Sequence, residues 1–177
     1  MHFAKHITIC EVGLRDGLQN EKESLSTEQK VELVEGVLAS GIKSIEIGAF
    51  VHPKAVHAMA DTEHVMQAIG KRADVEFRAL ITNMKGVERA IIAGVNKVKL
   101  TVSASQSHNL SNFNRTPQES VAMFEDCARV AREHGIDVSG AISTAFGCPF
   151  EGRIALEQIE KLINAFLTID VKEISLS

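Results

Sequence analysis

Ile7-Thr8-Ile9-Cys10-Glu11-Val12, continuing into Gly13-Leu14-Arg15-Asp16-Gly17-Leu18-Gln19-Asn20-Glu21, is the stretch on which the reading of this chain turns. An apolar, β-branched run stops. An arginine, a carboxylate and an amide follow at once, with Gly13 and Gly17 among them as breakers of regular structure. In a parallel α/β barrel the loop after each strand lies at the active-site mouth. The stretch therefore reads as a first strand over Ile7–Val12 and a loop that carries chemistry.

Outward from it, strand-like runs recur at Ser44–Phe50, Glu76–Ile81, Lys97–Ala104, Asp137–Thr144 and Glu173–Ser177. Between them lie segments of helical period: Thr27–Ala39, Ala60–Ala68, Lys85–Ala93, Pro117–Glu133 and Ala155–Leu167. Strict alternation of this kind predicts a parallel sheet covered by helices. Ser26-Thr27-Glu28-Gln29 and Thr116-Pro117-Gln118-Glu119 are N-terminal capping signals, and Gly41, Gly94 and Gly135 stand where left-handed C-caps are expected. The junction Gly41-Ile42-Lys43-Ser44-Ile45-Glu46-Ile47 resembles Gly94-Val95-Asn96-Lys97-Val98-Lys99-Leu100, a weak internal repeat of one βα unit. Six units fit two architectures: an open doubly wound sheet, or the first six units of a (β/α)8 TIM barrel, whose full length is about 250 residues. No linker divides the chain, so residues 1–177 are expected to be the N-terminal portion of one catalytic domain.

Alternation within the strands separates the two faces. Ile45 and Ile47 oppose Ser44, Glu46 and Gly48. Val98, Leu100 and Val102 oppose Lys99, Thr101 and Ser103. Ile142 opposes Ser139 and Ser143, and Ile174 and Leu176 oppose Glu173 and Ser175. A strand buried on both faces is normally apolar throughout. A polar group buried without a partner costs roughly 1–3 kcal/mol, and a charge more. The polar rows must converge on water, a ligand or one another, which the lumen of a barrel provides. An antiparallel sheet with one wet face is the simpler alternative, but the intervening helices argue against it.

Composition narrows the function. The chain has 177 residues, 24% of them charged, with a formal net charge of -4, so no basic field favours nucleic acid or an anionic membrane. Eight Phe with no Trp or Tyr argue against a base-stacking surface. Three widely spaced cysteines, Cys10, Cys127 and Cys148, suit a reducing compartment. No apolar run approaches the ~20 residues of a membrane span. With Met1 to His6 leading directly into the first strand, no targeting segment is expected, and a cytoplasmic location is.

Arg15-Asp16-Gly17 by itself admits a plain reading as a turn with a surface ion pair. A carboxylate at a strand end can also hold a hard divalent cation, and an arginine beside it can neutralise an oxyanion. Glu46, one strand over, either orients a water or metal ligand or pairs with Lys99 or Arg78 across the lumen. Together with Ile45-Glu46-Ile47-Gly48-Ala49-Phe50-Val51-His52-Pro53-Lys54, Leu80-Ile81-Thr82-Asn83-Met84-Lys85-Gly86 and Phe146-Gly147-Cys148-Pro149-Phe150-Glu151-Gly152, the opening motif closely resembles the hydroxymethylglutaryl-CoA lyase family. These are metal-dependent barrels related to isopropylmalate and homocitrate synthases. The resemblance covers essentially the whole chain, and departs at His52 and Thr82, where Ser and Pro are usual.

The resemblance implies that the parent protein, on an acyl-CoA substrate, cleaves 3-hydroxy-3-methylglutaryl-CoA to acetoacetate and acetyl-CoA, as in leucine degradation. It assigns Asp16 to a divalent cation, Mg²⁺ or Mn²⁺, Arg15 to the enolate, and Glu46 to the active site on the second strand. Gln19 is implied in substrate binding, with Asn20 and Lys22 toward the CoA. A homo-oligomer, a dimer, is expected for the parent. The family's His-x-His ligand pair, its aspartate after strand six and its later catalytic cysteine have no counterpart here, and Cys148 belongs to a different loop. Alternatives are a related aldolase or Claisen-type synthase, and a non-catalytic barrel fragment.

Overall fold

The structure is a computed structural model that describes residues 5–177; Met1 to Ala4, His2 among them, lie outside the described residues. Six strands run β1 (Cys10–Glu11), β2 (Ser44–Phe50), β3 (Glu76–Ile81), β4 (Lys97–Ser103), β5 (Asp137–Ser143) and β6 (Ile174–Leu176). Six α-helices are α1 (Thr27–Ala39), α2 (Thr62–Ile69), α3 (Met84–Ala93), α4 (Gln106–Phe113), α5 (Pro117–Glu133) and α6 (Leu156–Thr168). All neighbouring strands pair in parallel, and their order is sequential, β1-β2-β3-β4-β5-β6. A doubly wound sheet reverses its strand order at a switch point. This one never does, which decides between the two architectures in favour of the barrel.

The sheet is also curled. In a flat sheet β3 and a strand three positions away are about 14 Å apart at ~4.8 Å per step. Here Arg78 of β3 reaches Glu173, at the foot of β6, with Nη1 2.6 Å from the carboxylate. The polar rows thus face an interior, as their alternation predicts, and the apolar rows face the helices. Phe50, Phe77, Phe124, Phe166, Ile45 and Leu100 are fully buried in that outer layer. The Phe124 and Phe166 rings stack with centroids 5.8 Å apart. Gly140 of β5 makes room for them: a Cβ there would lie 2.9 Å from the Phe166 ring.

Local signals explain the helix ends. Ser26 and Thr116 each form a reciprocal capping box, with Gln29 and Glu119. Gly41, Gly94 and Gly135 all adopt positive φ after a helix. Several sequence-based bounds shift: the helix expected over Ala60–Ala68 is α2 plus a separate 3₁₀ turn at His57–Met59, α3 begins at Met84 under the cap of Asn83, α6 runs one residue late, and β6 is three residues. Helix α4 has no counterpart among the expected helical segments. Ser105 caps it, and Asn114 ends it at φ 52°.

Two corrections bear on the site. The first strand, expected over Ile7–Val12, is only Cys10–Glu11. Cys10 already pairs with the first residue of β2, so residues before it have no ladder partner, and Ile7 and Ile9 are exposed. Gly48 does not share the lumen face with Glu46. The β2–β3 register shifts between Glu46 and Gly48, and a Cβ on Gly48 would lie 2.4 Å from Thr62 Oγ1 of α2. The bulge turns Gly48 toward the helices and ends the polar row at Glu46.

The floor of the lumen is a charge-balanced set. Glu76 accepts from Arg78 Nε at 2.6 Å, Lys97 Nζ at 2.8 Å and Ser44 Oγ at 2.9 Å. Glu173 accepts from Lys97 at 2.9 Å as well as from Arg78. Arg78 therefore pairs here, not with Glu46. Burial alone would raise both carboxyls. The hydrogen bonds from Lys97 and Arg78 outweigh it and hold Glu76 and Glu173 below the ordinary carboxylate range. A depressed folded-state pKa gives stability that is present above the unfolded value of about 4.5 and lost as pH falls through the folded one. The melting temperature is expected to hold from about pH 7 to about pH 5 and then fall, with a shallower fall in Lys97→Met. Identical acid slopes in the two proteins, measured by thermal melts, would contradict this.

Candidate active site at the barrel mouth

Leaving β1, the chain winds into one π-helical turn, Gly13–Gly17. The Val12 carbonyl accepts from Arg15 N at 3.1 Å and Asp16 N at 2.7 Å, and the Glu11 carboxylate accepts from Gly13 N at 2.5 Å. The loop expected here is thus a tight, internally bonded turn. It buries Leu14 and aims Arg15 at β2.

At the centre stands Glu46, with 0% of its side chain exposed. One of its oxygens accepts from Arg15 Nε and the other from Lys99 Nζ. Arg15 Nη1 donates to Asp16 Oδ1 at 2.8 Å. Two cations and two carboxylates alternate across the π-helical turn, β2 and β4, so the buried charge is neutralised. Among the described residues no acceptor takes Arg15 Nη2. A guanidinium held at Nε and Nη1 presents its remaining N–H groups to whatever enters the mouth.

The structure brings Arg15, Asp16 and Glu46 together. Of the two lumenal partners expected for Glu46, Lys99 is present and Arg78 is not, and Arg15 takes the other oxygen. Asp16 is 61% exposed, linked to Glu46 only through Arg15. Gln19, Asn20 and Lys22 all lie exposed on the stretch after the turn. Asn20 Nδ2 donates to the Asp16 carbonyl at 2.7 Å; Gln19 and Lys22 have no hydrogen-bond partner among the described residues.

Sequence reasoning missed the second wall of the mouth, at the ends of β4 and β5. Asn109 of α4 is fully buried, accepts from Ser103 N at 2.8 Å, and donates to the Arg115 carbonyl at 2.8 Å and Ser120 Oγ at 2.9 Å. It pins α4 over the strand end. Ser103 and Thr144 hydroxyls lie 2.7 Å apart, and Thr144 sits at φ 56°, a conformation costly for a β-branched residue. Thr101 Oγ1, next toward the mouth from Lys99, is buried without a partner among the described residues. The usable signal was Ser105 before a polar octet, a cap without an apolar stripe. Cys148 is buried, with its Sγ 3.0 Å from Ser105 Oγ. Burial would raise that thiol, but the Ser105 and Phe150 hydrogen bonds leave it lowered.

A Mg²⁺ ion requires six oxygen ligands, supplied by carboxylates, substrate and water. Among the described residues no group of three or more His, Cys, Asp or Glu side chains could hold a metal ion. Asp16 offers a single carboxylate, one oxygen of which already accepts from Arg15. These residues alone do not compose a cation site.

A parallel (β/α) wall with sequential strands and a charged cluster at its C-terminal mouth defines the class: a (β/α) barrel fold. The HMGL-like family model matches residues 6–177, and the chain belongs to that family. It is 36% identical over 176 residues to the hydroxymethylglutaryl-CoA lyase YngG of Bacillus subtilis, covering 99% of this chain and 59% of that protein. It is 37% identical to the (R)-citramalyl-CoA lyase of Chloroflexus aurantiacus, covering 97% of this chain and 57% of that one. The structure of an HMG-CoA lyase from Acinetobacter baumannii, in complex with coenzyme A and 3-methylmalate, superposes with a TM-score of 0.93 at 35% identity, over 99% of this chain and 57% of that one. The chain thus spans less than two thirds of each of these three proteins. No helix among the described residues is long and apolar enough to cross a membrane.

Proposed function

We propose that the whole protein is a divalent-metal-dependent carbon–carbon lyase that cleaves 3-hydroxy-3-methylglutaryl-CoA to acetoacetate and acetyl-CoA, with residues 1–177 the N-terminal portion of its single catalytic barrel. The observation that carries this reading is the Arg15–Glu46 pair beside Asp16 at the mouth of a chain that matches an HMG-CoA lyase fold over 99% of its length. In this reaction a base takes the hydroxyl proton, the carbonyl of acetoacetate forms as the carbon–carbon bond breaks, and the bond's electron pair passes into the thioester as an enolate; negative charge gathers on the thioester oxygen until the enolate carbon takes up a proton to give acetyl-CoA. Arg15, fixed through Nε, turns its free N–H groups toward that oxygen and stabilises charge that grows only in the transition state. Glu46 holds the guanidinium through one oxygen while Lys99 takes the other. Asp16 would be one ligand for Mg²⁺ or Mn²⁺, which would polarise the substrate's oxygens; among the described residues no group of three or more His, Cys, Asp or Glu completes the set. Gln19, Asn20 and Lys22 line the approach for the CoA ester. The protein works as a homodimer. Three thiols, none in a disulfide, suit a cytoplasmic location.

The test is acetoacetate release by the complete protein with Mg²⁺ or Mn²⁺, offered hydroxymethylglutaryl-CoA and citramalyl-CoA in parallel. Faster turnover of the second substrate reassigns the acyl group, and no cleavage of either overturns the reading. The 177-residue chain by itself is expected to bind the cation weakly by calorimetry and to release no acetoacetate.

A further inference from the structure

We infer that Lys99 is a positioning residue for Arg15, acting through Glu46; this rests on the lyase reading above. A carboxylate facing a lone arginine prefers the two-pronged arrangement, with two parallel N–H groups donating to its two oxygens. Glu46 does not do this. Its second oxygen is taken by Lys99 Nζ, so Arg15 reaches it through Nε alone. Lys99 lies on β4, 53 residues from Glu46 along the chain, and its side chain is only 15% exposed. It rises from the polar row of β4, between Lys97 in the floor network and Thr101. Lys97 is already held by Glu76 and Glu173, and Arg78 by the same two carboxylates. Among the described residues, then, no other lumenal cation competes for the second Glu46 oxygen.

The consequence concerns Arg15 Nη2. With Lys99 in place, Glu46 cannot accept from both Nε and Nη2, and Nη2 is left for the mouth. Without Lys99, the carboxylate is free to close the two-pronged pair. That closure draws the guanidinium toward the lumen and occupies the N–H groups that a developing oxyanion requires. An ammonium that touches neither substrate nor reacting atoms thereby sets how much of Arg15 is available.

The experiment compares wild type, Lys99→Met and Lys99→Arg, each made in the complete protein, by two measurements on the same sample. In arginine-selective ¹⁵N spectra, Lys99→Met is expected to slow rotation about the Arg15 Cζ–Nη2 bond and slow hydrogen exchange at Nη2, while Lys99→Arg retains wild-type behaviour by engaging the same Glu46 oxygen. In kinetics, Lys99→Met is expected to lower kcat roughly tenfold to a hundredfold with KM little changed, as misplacement of a catalytic group does, and Lys99→Arg to recover most of it. A merely structural lysine would lower the melting temperature and leave the Arg15 signals and kcat unmoved, which would overturn the inference. An inactive wild type would refute the lyase reading alone, because the Arg15 spectra still report on Lys99.

Discussion

Glu46→Gln is expected to lower the unfolding free energy by about 3–5 kcal/mol, a drop in melting temperature of roughly 6–20 °C for a chain of this size. The amide keeps the shape of the carboxylate but carries no charge, and its NH₂ faces one of two cations. Glu46 is wholly buried, so neither Arg15 nor Lys99 can find water at that position. Both cations are partly exposed at 15%, and their swinging toward the mouth sets the lower end of the range. Breaking one member of a buried charge set costs more than the set contributes as a whole. The triple replacement Arg15→Met, Glu46→Leu, Lys99→Met is therefore expected to recover most of the loss. Equilibrium urea unfolding checks both; a change under about 1 kcal/mol in Glu46→Gln would mean the charges are already well solvated.

In the complete protein, Arg15→Gln is expected to cut kcat by about 10²–10³, the usual loss on removing one oxyanion donor. The stability loss should be smaller than for Glu46→Gln, because Lys99 still neutralises Glu46. Arg15→Lys should not rescue turnover. Nε holds Glu46, Nη1 holds Asp16 and the remaining N–H groups face the mouth, a division among separate nitrogens that a single ammonium cannot reproduce. Steady-state kinetics on both variants decide it: a lysine variant with near wild-type kcat would remove Arg15 from the role proposed for it.

The parts of this molecule that were legible were those with local causes. Strands β2 to β5 and helices α1, α3 and α5 emerged close to their bounds, since apolar alternation, capping boxes and left-handed glycines act within a few residues. Helix α4 did not. Its sequence, Gln-Ser-His-Asn-Leu-Ser-Asn-Phe, has no apolar stripe, and it holds because buried Asn109 ties it to Ser103 and Ser120. The first strand is shorter than its apolar run because pairing is a property of two strands, and β2 begins at the residue opposite Cys10. The face of Gly48 was misread because a bulge breaks the alternation that assigned it.

By itself the sequence determined the alternation of strands and helices, the polar row inside the sheet and the placing of Arg15 and Asp16 just after the first strand. Tertiary structure alone decided that the strands follow one another without reversal, and that Glu46 meets Arg15, 31 residues away, and Lys99, 53 residues away, on its two oxygens. Periodicity and caps are short-range preferences of backbone and side chain. Which oxygen faces which cation depends on curvature and register summed over several strands, and no local window of residues contains that sum.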